Sequence, residues 1–575
     1  MVLDDFWSKI LRAWQALQLT HYGGKYFIER TLALSEFART TSLIRVALLI
    51  LTPPLITISI VICQESIPLQ DPTTGWKANY GFWPRVWIIG FVLGSVKADL
   101  VGPWLDVPAL SSRQKLVYCV CVSTALLVVG MATSELWVFP VPFFLLSLLI
   151  SMSWLFLLLL CAVVGTRAFR RILSKRDELR QLYYVSNLLG IMILGYPAFQ
   201  ILFNKVNHTV YEVPVLLLLP IFKIITKRLF ALAALKKWDM VPEQVIFTVD
   251  FFDALYLVTC MPSLSAVSFG IILAVDIAQT AIDLFELFHR TQHIPARLHR
   301  AARIRDNVDS FSLLAFARLI CFNSKILQNQ EIQVRSCIPH QLSHQERTVL
   351  AQLERCSAAC PPTNLVHHSL NRISTSPQRL VAIPDHGRSA VAVHPHPTVS
   401  VAPKKTQGDD LVNGDKESSE LNSWIVDGSD ALQEALEVLF TAECLILTEY
   451  LEIVVPVLYG TFLFAMTHLP GAQYHTEMAS VTRENVANTV SSVLIYAALE
   501  LLSFIALAFV MKRNCGIDAY YQLAFVLRTQ MPFVLSKLIL WMMFTLTFRV
   551  THFGADLSFR FDWIAKNCKE GACNN

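Results

Sequence analysis

The sequence predicts an all-α fold, that of a polytopic helical membrane protein, from its composition and its long uncharged runs. Of the 575 residues, 54% are hydrophobic and 16% are charged, whereas a soluble domain carries about a quarter charged residues. The segment LWVFPVPFFLLSLLISMSWLFLLLLCAVVG (136–165) contains no charged residue, and about 20 apolar residues suffice to span a bilayer core roughly 30 Å thick. The lipid bilayer is therefore the first expected partner.

Apolar runs predict about eleven transmembrane helices, with a range of nine to twelve. The expected spans lie near 43–63, 84–105, 116–134, 141–165, 182–203, 212–230, 244–262, 265–287, 444–468, 488–511 and 531–549. Within the second span, Gly90 and Gly94 form GFVLG, a small-residue spacing that lets two helices approach closely.

These spans divide the chain into five segments. An N-terminal amphipathic region covers residues 1–42, and a first transmembrane block of about eight helices covers 43–288. A basic and then polar linker covers 289–430, and a second block of about three helices covers 431–549. A C-terminal tail occupies 550–575.

Lys and Arg are concentrated in alternate short loops, and such loops normally lie on the cytosolic side. The N-terminus and the linker are therefore expected to be cytosolic. Eleven spans place the C-terminal tail outside, whereas ten or twelve place it inside. The basic loops lie at 113–115, 167–180, 227–237, 290–305 and 512–513.

Two cytosolic segments have their own signatures. Phe6, Ile10, Trp14 and Leu17 recur at helical spacing, which favours an amphipathic helix, either on the membrane surface or on the protein's own cytosolic face. Residues 306–430 are rich in Pro, Ser, His, Gln and acidic residues, a composition that predicts a mostly disordered linker able to recruit cytosolic protein partners.

Acidic residues inside the apolar runs are the main functional signal. Asp250 and Asp253 lie in VDFFDALYLV, and Asp276 lies in the next apolar run. A charge at the bilayer centre costs about 2.5–3.5 kcal/mol, so such residues normally face a protein interior or a water-filled path. Asp253 and Asp276 lie about 13 Å and 15 Å from the same end of a predicted hairpin, which predicts that they are neighbours.

The same helix continues this pattern towards the predicted cytosolic side. Asp283, Glu286, His289 and His293 follow at spacings of three and four, and therefore share one helix face. Carboxylates and imidazoles in such a line suit a proton relay or a divalent-cation exit. His289 and His293 are weak candidate metal ligands.

The second block repeats the motif of the first. Glu449 and Glu452 in TEYLE have the spacing of the two aspartates in VDFFD, and Glu500 lies in a following span. Related halves with a site at their interface are common among transporters. Lys537, in the last span, is a candidate counter-ion for Glu449 or Glu500. The alternative for all these acids is a structural hydrogen bond between helices.

No G-x-x-x-x-G-K-[ST], H-E-x-x-H or G-x-S-x-G motif occurs in the sequence. This disfavours an ATP-driven pump or a common hydrolase, so an enzyme is the less favoured class. We expect no cofactor and no nucleic-acid partner, while an oligomer is possible.

Several stretches resemble a family of uncharacterised multi-pass membrane proteins that is expanded in oomycetes. They are HYGGKYFIERTLALSEF (21–37), IPLQDPTTGWKANYGFW (67–83), PEQVIFTVDFFDALYL (242–257), LYGTFLFAMTHLP (458–470) and the region from YQLAFVL to FRFDW (521–563). The resemblance implies a membrane location and a shared architecture, and it assigns no activity to any residue.

The favoured function is a transporter or channel for a small solute or cation that uses the intramembrane acidic residues. One alternative is a structural or scaffolding membrane protein that recruits partners through its linker. The other alternative is a membrane-embedded, metal-dependent enzyme.

Overall fold

The computed structural model describes residues 24, 26–105, 110–233, 242, 245–294, 313–322, 334–336, 340–358, 411–556, 560–561 and 563–564, with the backbone alone over 411–431. The predicted amphipathic positions between Phe6 and Leu17, most of the linker and the end of the tail lie outside these residues. Among the described residues no β-strand forms, and the only β-bridge is an isolated one between His475 and Val550.

Among the described residues, the first part of the chain contains twelve α-helices. They are α1 (Ile28–Thr40), α2 (Leu43–Glu65), α3 (Phe82–Leu105), α4 (Ser112–Leu136), α5 (Phe144–Ser147), α6 (Leu149–Val164), α7 (Thr166–Ser174), α8 (Arg176–Val206), α9 (Glu212–Leu216), α10 (Leu218–Ala233), α11 (Phe251–Cys260) and α12 (Ala266–Thr291). A π turn over Ile246–Asp250 leads directly into α11.

The later part contains two helices in the predicted linker and three in the second block. The linker helices are α13 (Leu313–Phe322) and α14 (His344–Ala358), and the second block contains α15 (Leu411–Met466), α16 (Val486–Cys515) and α17 (Ala519–Thr547). The last of these begins twelve residues before the predicted span and departs from helical geometry at Gln530, two residues before Pro532.

Each of the eleven predicted spans contains helix, and two of them, 141–165 and 212–230, are each divided between two helices. This confirms the all-α polytopic class. Within the described part of the chain, six helical segments are long and apolar enough to cross a membrane: α2, α4, α8, Ile246–Ser263, α16 and α17. The helix α6 is a shorter apolar helix. The total of eleven crossings stays a prediction.

The apolar helices divide into central and peripheral ones. In the most apolar 18-residue stretch of each helix, 72% of α17 is buried, whereas only 22% of α2 is buried. The exposed side chains of α2 are large and apolar, among them Ile44, Leu48 and Leu55. An apolar outer face around buried polar groups is the distribution that a lipid environment favours.

The predicted close approach at GFVLG is confirmed between α3 and α4. A Cβ atom on Gly90 would lie 2.8 Å from the Ser123 Cα atom, and one on Gly94 would lie 3.1 Å from the Cys119 Cα atom. A Cβ atom on Gly90 would require the backbone of α4 to shift, and one on Gly94 would make a tight contact with it.

The segment from Tyr26 to Thr40 packs against the protein itself. Arg30 of α1 forms an ion pair with Glu443 of α15, with an Nη2–Oε1 distance of 2.6 Å. The Glu29 carboxylate accepts hydrogen bonds from the backbone N–H groups of Ser336 and His340, at 3.1 and 3.3 Å. The predicted linker therefore contributes ordered segments that contact α1.

At the opposite end of the bundle, connecting segments from both blocks meet. Glu65, at the end of α2, forms an ion pair with Arg85 of α3 and also contacts His475, at 3.0 Å. After α17, Arg549 forms an ion pair with Glu477. These buried pairs join the connection after α15 to the ends of α2, α3 and α17.

Candidate functional site

The π turn before α11 places two aspartates in the interior of the bundle. Asp250 is fully buried and Asp253 is 6% exposed. A π turn inserts one residue into the helical repeat and rotates the side chains around it, and such turns are frequent at functional sites. The Thr448 hydroxyl of α15 donates a hydrogen bond to Asp250 Oδ2 at 3.2 Å.

Two lysines of α10 face these aspartates. The Lys223 ammonium group lies 3.3 Å from Asp253, 3.6 Å from Asp250 and 2.7 Å from Glu452 of α15. Lys227, one turn further along α10, lies 2.7 Å from Asp250. We call Lys223, Lys227, Asp250 and Asp253 the lysine–aspartate group.

A second group consists of carboxyls from three helices. Glu449 and Glu452 of α15 and Glu500 of α16 each offer an oxygen atom, and these three atoms lie within 4.8 Å of one another. Asp276 of α12 makes a side-chain hydrogen bond with Glu500, and the Tyr496 hydroxyl contacts the same carboxyl. We call Asp276, Glu449, Glu452 and Glu500 the carboxylate group.

Two oxygen atoms in the carboxylate group are buried without a hydrogen-bond partner among the described residues. They are Glu449 Oε2 and Glu500 Oε1, on side chains that are 8% and 2% exposed. A buried polar atom without a partner is costly, so these atoms need a proton, a water molecule or a cation.

The charges of the two groups do not balance within the part of the chain that the structure describes. Together they contain six carboxyl groups and the two ammonium groups of Lys223 and Lys227, a formal excess of four negative charges. Counting Lys537, which contacts Thr248 nearby, still leaves an excess of three. Like charges this close in a low dielectric cannot all persist without bound protons or cations.

Asp253 and Asp276 have different nearest partners from those the hairpin geometry predicted. Asp253 pairs with Lys223, whereas Asp276 bonds to Glu500. Glu452 connects the two, since it touches Lys223 and lies within electrostatic range of Asp276. Side chains of α10, α15 and α16, which the hairpin argument omitted, occupy the interior positions beside the two acids.

The proposed counter-ion Lys537 has contacts other than those predicted. Its ammonium group lies 3.3 Å from the Thr248 hydroxyl and 4.4 Å from the centre of the Phe533 ring. The cation that contacts Glu452 is Lys223. Lys223 was not among the residues singled out from the sequence, although its i, i+4 spacing from Lys227 was the available signal.

The acids and histidines further along α12 do not form one line of contacts. Asp283 lies within electrostatic range of Glu449, while the buried Glu286 forms an ion pair with Arg290 at 2.8 Å. His289 and His293 are both exposed and contact the Gln292 side chain, at 2.9 and 3.3 Å. The geometry that suits a metal ion is that of Glu449, Glu452 and Glu500.

The TEYLE and VDFFD segments, which the sequence aligned as a possible repeat, contact each other. Thr448 bonds to Asp250, and Lys223 bridges Asp253 and Glu452. Duplication itself stays a prediction, because contact does not establish common origin.

Chemically, the site can exchange protons among carboxyls or hold a cation with oxygen ligands. In comparisons with known proteins, no family model matches the chain, and neither a curated protein nor a solved structure matches it. The resemblance to the oomycete membrane-protein family stays a prediction.

Proposed function

We propose that the protein is a transporter or channel that moves a small cation or a proton through the bundle, with the carboxylate group as its binding site. The observation that carries this proposal is the carboxylate group itself, whose four carboxyls are contacted by one ammonium group of the described residues, that of Lys223. Glu500 lies 14 residues from Val486 and 15 from Cys515, so it is about 21 Å from either end of α16. Its side chain is also 2% exposed.

The buried ion pairs elsewhere in the molecule provide an internal comparison. Arg30 balances Glu443 and Arg549 balances Glu477, as expected for pairs that hold helices together. Among the described residues, the carboxylate group has more acids than cations around it. Such an excess is unfavourable in a purely structural cluster and favours the binding of a cation.

A route to the carboxylate group is supported by α12. Asp276 and Asp283 are partly exposed on this helix and both lie within electrostatic range of Glu449. Partial exposure suits residues that exchange a cation with the surroundings. With the N-terminus and linker in the cytosol, as the basic loops predict, α12 leads from the site towards the cytosol.

The test is flux in liposomes reconstituted with the purified protein, with internal dyes for pH and for divalent and monovalent cations. Glu500→Gln removes one ionisable group and keeps the side-chain size. We expect this variant to reduce flux at least about tenfold while it still inserts and purifies as the native protein does. Glu437→Gln is the matched control, because Glu437 is an exposed acid on α15.

A second control separates transport from folding. Glu443→Gln removes a buried acid of the same helix that is paired with Arg30, outside the carboxylate group. Equal flux from the native protein and Glu500→Gln would contradict the proposal. An equal loss of flux in Glu443→Gln and Glu500→Gln would also contradict the proposal, because the loss would then not be specific to the carboxylate group.

A further inference from the structure

We propose that the carboxylate group binds a hard divalent cation of the size of Ca²⁺ and that the Lys223 ammonium group competes with this ion for Glu452. The inference deepens the proposed function and rests on it for the claim that the ion is the transported substrate. The binding itself is measured without flux.

The ligand chemistry favours a hard divalent ion. All the candidate ligand atoms are carboxyl oxygens, the donors that Ca²⁺, Mg²⁺ and Mn²⁺ prefer over softer metals. Three or four carboxylates around one point exceed the charge of a monovalent ion. A divalent ion neutralises more of this charge.

The spacing of the oxygens indicates the size of the ion. The three glutamate oxygens lie within 4.8 Å of one another. Ca²⁺ bonds oxygen at about 2.3–2.6 Å, so two of its ligands can be separated by up to about 5 Å. Mg²⁺, with bonds of about 2.0–2.1 Å, requires oxygens no more than about 4.2 Å apart. Ca²⁺ therefore fits every separation within this limit, whereas Mg²⁺ fits only the shorter ones.

The unpartnered oxygens point independently to a ligand. Glu449 Oε2 and Glu500 Oε1 accept no hydrogen bond of ordinary geometry from the described residues, they belong to side chains that are more than nine-tenths buried, and the Ser503 hydroxyl lies beside Glu449. Both side chains contribute to the same cluster of ligand atoms. A bound divalent ion would satisfy them together.

Lys223 occupies one edge of this site as a tethered cation. Its ammonium group lies 2.7 Å from Glu452, with Asp253 at 3.3 Å and Asp250 at 3.6 Å as neighbouring partners. When an ion takes Glu452, Lys223 keeps two carboxylates within reach. The displaced ammonium group thus stays paired with Asp250 and Asp253, which lowers the free-energy cost of exchanging Lys223 for the ion at Glu452.

The experiment measures binding of Mn²⁺ to the purified full-length protein in detergent, by the loss of the electron paramagnetic resonance signal of free Mn²⁺. We expect one saturable site, from which Ca²⁺ displaces Mn²⁺ at lower concentration than Mg²⁺ does. Glu449→Gln and Glu500→Gln should each weaken Mn²⁺ binding at least about tenfold, which corresponds to about 1.4 kcal/mol. Glu437→Gln should bind as the native protein does.

Removing the competitor should have the opposite effect. Lys223→Met combined with Asp253→Asn removes a cation together with one of its acids, so that Asp253 is not left buried and unpaired. We expect Mn²⁺ to bind this variant about tenfold more tightly. A variant that binds Mn²⁺ equally or more weakly would overturn the competition by Lys223.

The outcomes for site and function are distinct. No saturable Mn²⁺ site in the native protein, or unchanged binding in Glu449→Gln and Glu500→Gln, overturns the divalent site. If such a protein still moves protons into liposomes, the proposed function stands without it. Mn²⁺ binding with the expected variant effects but without flux supports the site and contradicts transport, in favour of a resident metal ion.

Discussion

Replacing Arg30 should undock the N-terminal helix α1, because the substitution leaves a carboxylate buried without its cation. The Arg30 and Glu443 side chains are both only 1% exposed, and Arg30 Nη2 lies 2.6 Å from Glu443 Oε1. The Tyr26 hydroxyl donates a hydrogen bond to Glu443 Oε2 at 2.6 Å. Arg30→Met keeps the apolar stem and removes the charge.

The magnitude follows from the burial of this pair. Removing one partner of a buried ion pair costs about 3–5 kcal/mol. If α1 opens locally, the free energy of its docking decreases by this amount, and the amides that exchange by undocking exchange roughly two to three and a half orders of magnitude faster. Hydrogen exchange across residues 28–40, followed by mass spectrometry, measures this change directly.

A double-mutant cycle separates the ion pair from general damage. In Arg30→Met with Glu443→Gln, the buried group is a neutral amide that can still accept a hydrogen bond from Tyr26. We expect the double variant to be more protected than Arg30→Met alone, with a coupling energy of about 2 kcal/mol. Additive effects within about 0.5 kcal/mol, or unchanged exchange in Arg30→Met, would refute the reasoning.

Two further predictions concern the opposite end of the bundle. Gly554→Ala should lower the melting temperature much more than Gly75→Ala. Both glycines have positive φ, which strains another residue by about 1–3 kcal/mol, but a Cβ on Gly554 would also lie 2.1 Å from the Val141 carbonyl oxygen, while nothing lies within 4 Å of one on Gly75; equal losses would contradict the clash. Burial lowers the pKa of His552 to about 4, whereas a histidine in the unfolded chain has a pKa near 6.5. Between these two pH values, the unfolded chain binds a proton that the folded chain does not. Stability should therefore decrease by up to about 3 kcal/mol as the pH falls from about 6.5 to about 4, and parallel melting profiles of the native protein and His552→Asn would contradict this.

The acids of the site could be identified from the sequence, but their partners could not. Asp250, Asp253, Glu449, Glu452 and Glu500 stand out because each interrupts an apolar run, and charge in such a run is costly wherever it lies. All five are buried.

The cations were harder to recognise. Lys223 lies 229 residues from Glu452 in the chain, and no local pattern relates them. Lys537 had the right charge and depth, and its contacts among the described residues include the Thr248 hydroxyl and the Phe533 ring. Depth along a helix can be read from residue numbers, whereas the direction a side chain faces depends on which helices pack beside it.

The class of the protein and the helices that carry its acids were determined by the sequence alone. The length of an apolar run is a property of the local sequence, and it decides whether a helix can span the bilayer. The tertiary structure decided which acids meet. It brings Glu449, Glu452 and Glu500 from two helices to one point and connects this group, through Lys223, to the aspartates that Lys223 and Lys227 contact. Packing decides this because the electrostatic energy of a carboxyl in a low dielectric depends on the charges within a few ångströms. Those neighbours come from distant parts of the chain.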